Sequence, residues 1–119
     1  MTLDEFRREM WAYLSEAKAE AMRCKDSMQT YRDLETLYRK FDEDERTMAD
    51  HVLAEWALSD DGGVRFEALA LIEDFGIRSA FPALRELARR LPRSLDPGAP
   101  YELKKVERII AKLDGSSAS

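Results

Sequence analysis

The sequence predicts an all-α protein. No glycine or proline occurs before Gly62, and these two residues disfavour the interior of a helix most strongly. Apolar residues recur three and four positions apart along most of the chain, whereas no segment alternates apolar and polar residues as a half-buried strand does. The composition agrees, because 45% of the residues are apolar and 36% are charged, which suits helices with one buried and one solvated face.

A capping box opens the first predicted helix, since Thr2 is followed three residues later by Glu5. Cys24 continues the apolar pattern of this helix at intervals of seven residues. It is therefore predicted to be a small buried residue and not a reactive thiol. The other residues of the buried stripe are Leu3, Phe6, Met10, Tyr13, Leu14, Ala17 and Ala21.

A second helix is predicted over residues 30–40, after a break near residues 26–29. Thr30 and Asp33 have the spacing of a new helix start. One continuous helix to residue 41 is the alternative, because the sevenfold spacing of the first stripe extends through this segment. The buried face of the second helix would consist of Tyr31, Leu34, Leu37, Tyr38 and Phe41.

The third helix is predicted to start at the capping pair Asp42 and Glu45 and to end near Leu58. Its carboxylates near the N-terminus also complement the helix dipole. Gly62 and Gly63 then predict a turn. The buried positions of the third helix recur at helical spacing and are Ala49, Val52, Leu53, Trp56 and Ala57.

A fourth helix is predicted over residues 64–75, with Gly76 as its C-terminal stop. A fifth follows over residues 80–90, with Ser79 as its N-cap and Pro82 in its first turn. The buried faces of these helices are Val64, Ala68, Leu71, Ile72 and Phe75, then Ala80, Leu84, Leu87, Ala88 and Leu91.

A sixth helix is predicted over residues 101–113, after a loop that contains three prolines and a glycine. Its apolar positions are Leu103, Val106, Ile109, Ile110 and Leu113. The chain length fits one domain, predicted over residues 1–113. Residues 114–119 are rich in serine and are predicted to be a flexible C-terminal tail.

Charge is unevenly distributed along the chain. The net charge is −5, but residues 42–77 contain 11 acidic and 2 basic side chains, and residues 78–119 contain 5 acidic and 9 basic ones. This asymmetry predicts a surface that orients a charged partner, although helix faces that are merely solvated are the alternative. The acidic central part disfavours a nucleic acid as partner, because phosphates require basic groups.

Residues 60–91 resemble one unit of a HEAT-type helical repeat, in which an acidic turn, a Val-Arg pair and a small residue precede a glycine and a second apolar helix. The motif residues are Asp60, Asp61, Val64, Arg65 and Ala68. The resemblance implies a short right-handed stack of antiparallel helix pairs, about six helices forming a single helical-repeat domain. An irregular helical bundle is the alternative. In the family, the turn aspartate and the arginine bond neighbouring turns, which implies a contact between Arg65 and Asp60 or Asp61.

HEAT-type stacks usually bind other proteins on a concave face that the second helix of each pair lines. The resemblance therefore implies a small protein-binding module or adaptor whose partner is another protein. A toxin-neutralising immunity protein is one form of this function that the size and the acidic charge suggest. The implied partner-binding residues are the outward positions of the third and fifth helices, namely Asp50, His51, Glu55, Arg85, Arg89 and Arg90.

Two alternatives stay open. One is a self-assembling structural homodimer without a separate ligand, so the chain is expected to be a monomer or a homodimer. The other is a HEAT-like enzyme, since some DNA glycosylases and the bilin lyases have this fold. We expect no enzyme activity, no cofactor and no metal site, because His51 is the only histidine and Cys24 the only cysteine, and glycine-rich phosphate loops are missing.

The sequence predicts a cytoplasmic protein that does not bind membranes. The N-terminus lacks the continuous apolar run of a signal peptide, and no stretch approaches the ~20 apolar residues of a membrane span. A single cysteine cannot form an internal disulfide, which fits a reducing compartment.

Overall fold

A computed structural model describes residues 1–115, and within this range the chain is helical without any strand. The predicted all-α class is therefore confirmed. Short 3₁₀ turns precede and follow the fifth helix, at Arg78–Ala80 and Leu91–Arg93. The α-helices of this range are α1 Leu3–Cys24, α2 Gln29–Lys40, α3 Glu43–Trp56, α4 Gly62–Phe75, α5 Phe81–Arg90 and α6 Ala99–Gly115.

The last helix is longer than predicted at both ends. It starts at Ala99 and contains Pro100 in its first turn, where a missing backbone N–H is tolerated. Asp114 and Gly115, which were expected in the C-terminal tail, belong to α6. The remaining tail positions, 116–119, lie outside the described residues.

The chain divides into two units, Met1–Val52 and Leu53–Ser119, and the division falls inside α3. The starts of α1 and α3 in the first unit follow local capping signals. The Thr2 hydroxyl accepts the backbone N–H of Glu5 at 3.2 Å. Asp42 and Glu45 accept each other's backbone N–H through their carboxylates, at 2.8 and 3.0 Å. The predicted capping box at Asp42 and Glu45 is confirmed. At Thr2 the N-cap bond is confirmed, but the Glu5 carboxylate accepts the Thr2 hydroxyl and not its backbone N–H.

The predicted break between α1 and α2 is also confirmed, but two predictions beside it are wrong. Lys25 ends α1 in the left-handed conformation, at φ 53° and ψ 40°. Thr30 is not an N-cap, since it is buried inside α2 and its hydroxyl donates to the Ala17 carbonyl at 3.5 Å. Cys24 is exposed, because a helix drifts by about 20° per heptad from a strict sevenfold stripe.

In the first unit, α2 packs against α1, and aromatic rings join the two helices. The Phe41 ring centroid lies 5.1 Å from that of Phe6 and 6.2 Å from that of Tyr38. The Tyr13 hydroxyl donates to the carbonyl of Asp33 at 3.2 Å. Other buried residues of this unit are Met10, Leu14, Ala17, Thr30, Leu34, Ala49 and Val52.

The second unit contains the last turn of α3 and the helices α4 to α6. Asp61 caps α4, since its Oδ1 accepts the backbone N–H of Gly63 at 2.8 Å and of Val64 at 3.3 Å. Gly62 and Gly63 therefore form the first turn of the helix and not a separate turn, contrary to the prediction. Gly76 ends α4 with φ 62°, a left-handed conformation that glycine adopts without steric cost, as predicted.

Within the second unit, α6 packs against both α5 and α4. Ser79 does not cap α5, because the preceding 3₁₀ turn continues into the helix and Ala80 occupies the cap position. Pro82 lies in the first turn of α5, as predicted. Buried residues of this unit are Leu53, Trp56, Ala57, Val64, Glu67, Ala68, Leu69, Leu71, Ile72, Ile77, Ala80, Leu84, Leu87, Leu91, Ala99, Val106, Ile109 and Leu113.

Candidate functional site

The three arginines predicted to bind a partner lie on the exposed side of α5. Leu84 and Leu87 are buried. Because α5 has a helical period of about 3.6 residues, the arginines lie on the opposite face of the helix, away from the core. As a result, all three arginine side chains are exposed. We define the α5 surface as Phe81, Pro82, Arg85, Glu86, Arg89 and Arg90.

Glu86 binds two of these arginines. Nε and Nη2 of Arg89 donate to its two carboxylate oxygens at 2.9 and 2.5 Å, and Nε of Arg90 donates to Oε2 at 2.8 Å. The hydrogen bonds from Arg89 and, second, from Arg90 lower the pKa of Glu86 from 4.5 to about 2. Glu86 therefore stays ionised at neutral pH and cancels one of the three positive charges.

The third arginine, Arg85, has a different environment. Its guanidinium carbon lies 4.5 Å from the centroid of the Phe81 ring, within the range of a cation–π contact. Among the described residues it makes no ion pair. A shallow groove of about 580 Å³ runs past both side chains and is also lined by Pro82, Glu86 and Arg89. This arrangement can hold a carboxylate beside an apolar group.

The other three predicted partner-binding residues lie on α3 and belong to different units. Asp50 and His51 are in the first unit, whereas Glu55 is in the second. His51 and Glu55 are exposed. Asp50 is half-buried and accepts the Tyr38 hydroxyl at 2.6 Å. The expectation that Asp50 points outward is therefore wrong, because Tyr38 of α2 covers its carboxylate.

Burial dominates the electrostatics of Asp50. Desolvation raises the pKa of this carboxyl above its usual value of 3.8, although the hydrogen bond from Tyr38 and the charge of Arg46 act in the opposite direction. Burial, followed by the hydrogen bond to Asp50, also raises the pKa of Tyr38. The Arg46 guanidinium lies 5.3 Å from the Tyr38 ring centroid. These three residues form a polar cluster within the first unit.

The raised pKa of Asp50 predicts a measurable pH dependence of stability. The folded state binds the Asp50 proton more tightly than the unfolded state, so this group stabilises the fold as the pH falls through the raised pKa toward 3.8. Asp50→Asn keeps an acceptor for Tyr38 but cannot titrate. We expect the unfolding free energy of the wild type, relative to that of Asp50→Asn, to increase as the pH falls from about 7 to about 4.

Urea denaturation at each pH measures this difference, with Glu55→Gln as a control for the loss of an exposed carboxylate from the same helix. A difference between wild type and Asp50→Asn that stays constant over the whole pH range would contradict the raised pKa.

Arg65, the arginine of the repeat motif, connects two segments of the second unit. Its Nε and Nη2 donate to the Glu102 carboxylate at 2.7 and 3.0 Å, and its Nη1 donates to the Ser59 carbonyl at 2.9 Å. The expected bond to Asp60 or Asp61 is thus replaced by a bidentate pair with α6. Asp61 is engaged in capping α4, which leaves the guanidinium fork for Glu102.

Two glutamates that the sequence analysis did not single out organise these arginines. Glu86 precedes two arginines of α5 by three and four residues, the spacings at which helical side chains meet, so the sequence contains the signal for this contact. Glu102 lies 37 positions after Arg65, and no local spacing rule indicates such a pair. The apolar motif residues Val64 and Ala68 are buried in α4.

Within the described residues, no group of three or more histidine, cysteine, aspartate and glutamate side chains is placed to hold a metal ion. No helix in this part of the chain has the length and apolar character of a membrane span. Comparisons of the chain with protein-family models, with curated proteins and with solved structures find no match.

Proposed function

We propose that this protein is a small protein-binding module, an adaptor or an immunity-type protein, that captures an acidic partner on the α5 surface. The observation that carries this proposal is the groove in which Arg85 lies over the Phe81 ring without an ion pair among the described residues. A guanidinium binds a carboxylate through paired N–H donors. An adjacent aromatic ring can contact the apolar part of the partner side chain that carries this carboxylate.

Glu86 determines how much each arginine contributes. A partner carboxylate that binds Arg89 or Arg90 competes with Glu86, which already holds both. Since an ion pair between exposed groups is weak, exchanging one such pair for another changes the free energy little. Arg85 would then supply most of the attraction, and we expect it to be the most important cation of the α5 surface.

Binding, and not catalysis, fits the chemistry of this surface. A general acid or base works best when its pKa lies near the operating pH. The pKa of Glu86 is held at about 2, and the other charged groups of the α5 surface are arginines, which do not lose their protons near neutral pH. We therefore propose that the protein is not an enzyme.

We propose further that residues 60–91 form a HEAT-like helix pair within a right-handed stack of antiparallel pairs. Two local features support this. Arg65 donates to the Ser59 carbonyl in the turn before α4, so the arginine does bind a turn, although through the backbone. The glycine expected between the helices of the pair, Gly76, ends α4 in the left-handed conformation.

The binding proposal is tested by charge reversal on the α5 surface. We expect Arg85→Glu with Arg89→Glu to keep the helical circular dichroism spectrum and to weaken partner capture by about tenfold or more, because the reversed charges repel an acidic surface. The measurement is a pull-down from lysate, followed by titration of the retained protein at low and physiological salt.

The matched control is Arg8→Glu with Lys40→Glu, which makes the same change of charge at exposed positions of the first unit. If the α5 double variant retains the same partner as tightly as the wild type at both salt concentrations, the α5 surface is only a solvated helix face. Light scattering separates this function from self-assembly, since a stable homodimer without a retained partner would favour the structural alternative.

A further inference from the structure

Two exposed aromatic side chains line a second groove of the second unit. Phe66 of α4 is 48% exposed and Tyr101 of α6 is 78% exposed. Both line a groove of about 230 Å³ together with Gly62, Leu69, Glu102 and Lys105. Scattered apolar side chains are common on protein surfaces, but aromatic rings that converge on one concave site are typical of binding sites.

Lys105 places a positive charge in this groove. Its ammonium nitrogen lies 4.2 Å from the centroid of the Phe66 ring, and its side chain is half-buried. Desolvation lowers the pKa of Lys105, because burial penalises the charged form. The ammonium group is thus already partly removed from water, so an anion that binds it incurs less additional desolvation.

Two of the three carboxylates near Lys105 form ion pairs with other groups. Glu102 forms the bidentate pair with Arg65. The carboxylate oxygens of Glu73 lie 3.2 Å from Nη2 of Arg108 and 3.9 Å from Nζ of Lys112. The third neighbouring carboxylate belongs to Glu67, which is buried in α4. Within the described part of the chain, none of these carboxylates forms an ion pair with Lys105, so this ammonium is available to an anionic group from outside.

The size of the groove limits what can occupy it. Sites for drug-sized ligands have volumes of about 300–1,000 Å³, and this groove is smaller, at about 230 Å³. It has room for one or two side chains that project from another chain. The aromatic walls suit an apolar side chain, and the ammonium group suits a carboxylate next to it.

We propose that the groove between α4 and α6 binds a segment of a partner protein in which an aromatic or apolar side chain lies next to a carboxylate. The apolar group contacts Phe66 and Tyr101, and the carboxylate accepts a hydrogen bond from Lys105. This inference rests on the proposed protein-binding function, but it concerns residues that do not belong to the α5 surface.

A second copy of the chain is a poorer occupant than a separate acidic partner. In a symmetric dimer that uses this groove, the surface around the groove packs against the same surface of the other copy. The exposed side of α6 carries Lys104 and Arg108 beside the groove, so symmetric pairing brings like charges together, which is unfavourable.

The test uses small probes that carry one or both of the proposed groups. 3-Phenylpropionate has a ring and a carboxylate, 3-phenylpropionamide is its neutral analogue, and acetate has only the carboxylate. Each is titrated into the intact protein while backbone amide shifts are recorded by NMR. We expect 3-phenylpropionate to shift the amides around Phe66 and Lys105 with a Kd on the order of millimolar, and each of the other probes to bind about tenfold more weakly.

Variants assign the interaction to its residues. Lys105→Met keeps most of the length of the side chain and removes its charge, and we expect it to lose the preference for 3-phenylpropionate over the amide. Lys104→Met is the control on the same helix and should bind as the wild type does. Tyr101→Ala changes a largely exposed residue, so it should fold and should weaken both aromatic probes.

Three results would overturn the proposal: no shifts at the groove, equal affinity for the acid and its amide, or the same loss in Lys104→Met as in Lys105→Met. A homodimer in sedimentation velocity that Tyr101→Ala dissociates would instead assign the groove to a second copy. Because the probes do not require the α5 surface, loss of partner capture by the α5 double variant and failure of this titration are separate outcomes.

Discussion

Leu71→Ala is expected to lower the free energy of unfolding by about 2–5 kcal/mol. Leu71 is 1% exposed on the buried face of α4. Removing most of its side chain forfeits the transfer free energy of these carbons and leaves a cavity, because closely packed neighbours relax only in part. Since a small domain is stable by about 5–15 kcal/mol, this is a large fraction of the total. Urea denaturation followed by circular dichroism measures it.

Leu95→Ala provides the matched control, because the substitution is the same and Leu95 is 99% exposed. Its free energy of unfolding should stay within about 0.5 kcal/mol of the wild type. Leu71→Val removes a single carbon and gives a milder variant if Leu71→Ala does not fold. Equal unfolding midpoints for Leu71→Ala and Leu95→Ala would show that the apolar face of α4 is assigned to the wrong residues.

The second large effect is expected at Arg65, where Arg65→Ala should destabilise the fold by about 2–4 kcal/mol. The side chains of Arg65 and Glu102 are only 13% and 21% exposed, so the variant leaves a carboxylate partly buried without its bidentate partner. It also removes the hydrogen bond to the Ser59 carbonyl. The measurement is again the free energy of unfolding, now in a double-mutant cycle with Glu102→Ala.

In that cycle, the two substitutions should be strongly non-additive, with a coupling energy of about 1–3 kcal/mol. Arg108→Ala is the control, because Arg108 pairs with Glu73 but is 61% exposed, and it should change stability by less than about 1 kcal/mol. Additive effects of Arg65→Ala and Glu102→Ala would mean that the pair does not connect α4 and α6 in solution.

Local signals explain which elements were predicted correctly. The N-cap at Thr2, the capping box at Asp42 and the glycine stop at Gly76 depend on residues within one helical turn, and the structure has all three. The caps predicted at Thr30 and Ser79 are wrong, although in sequence these two residues fit a cap as well as Thr2 and Asp42 do. Their conformations are set by a bond to Ala17 and by a 3₁₀ turn.

The candidate sites were less predictable, because they depend on contacts between distant residues. Exposure of the arginines of α5 follows from helical spacing, and so does the contact of Arg89 and Arg90 with Glu86. The pairing of Arg65 with Glu102, and the position of Lys105 over the Phe66 ring, depend on how α6 packs against α4. Asp50 shows the same limitation, since its spacing on α3 gave no sign that Tyr38 of another helix would cover it.

The exposed position of Cys24 has a consequence for the redox chemistry of the protein. Its Sγ donates a hydrogen bond to Oε1 of Glu20 at 3.3 Å. This bond and the charge of the same carboxylate raise the pKa of the thiol. Only the thiolate attacks disulfides and reacts readily with oxidants. The contact with Glu20 therefore lowers the thiolate fraction of Cys24 at a given pH, and with it the reactivity of this exposed thiol.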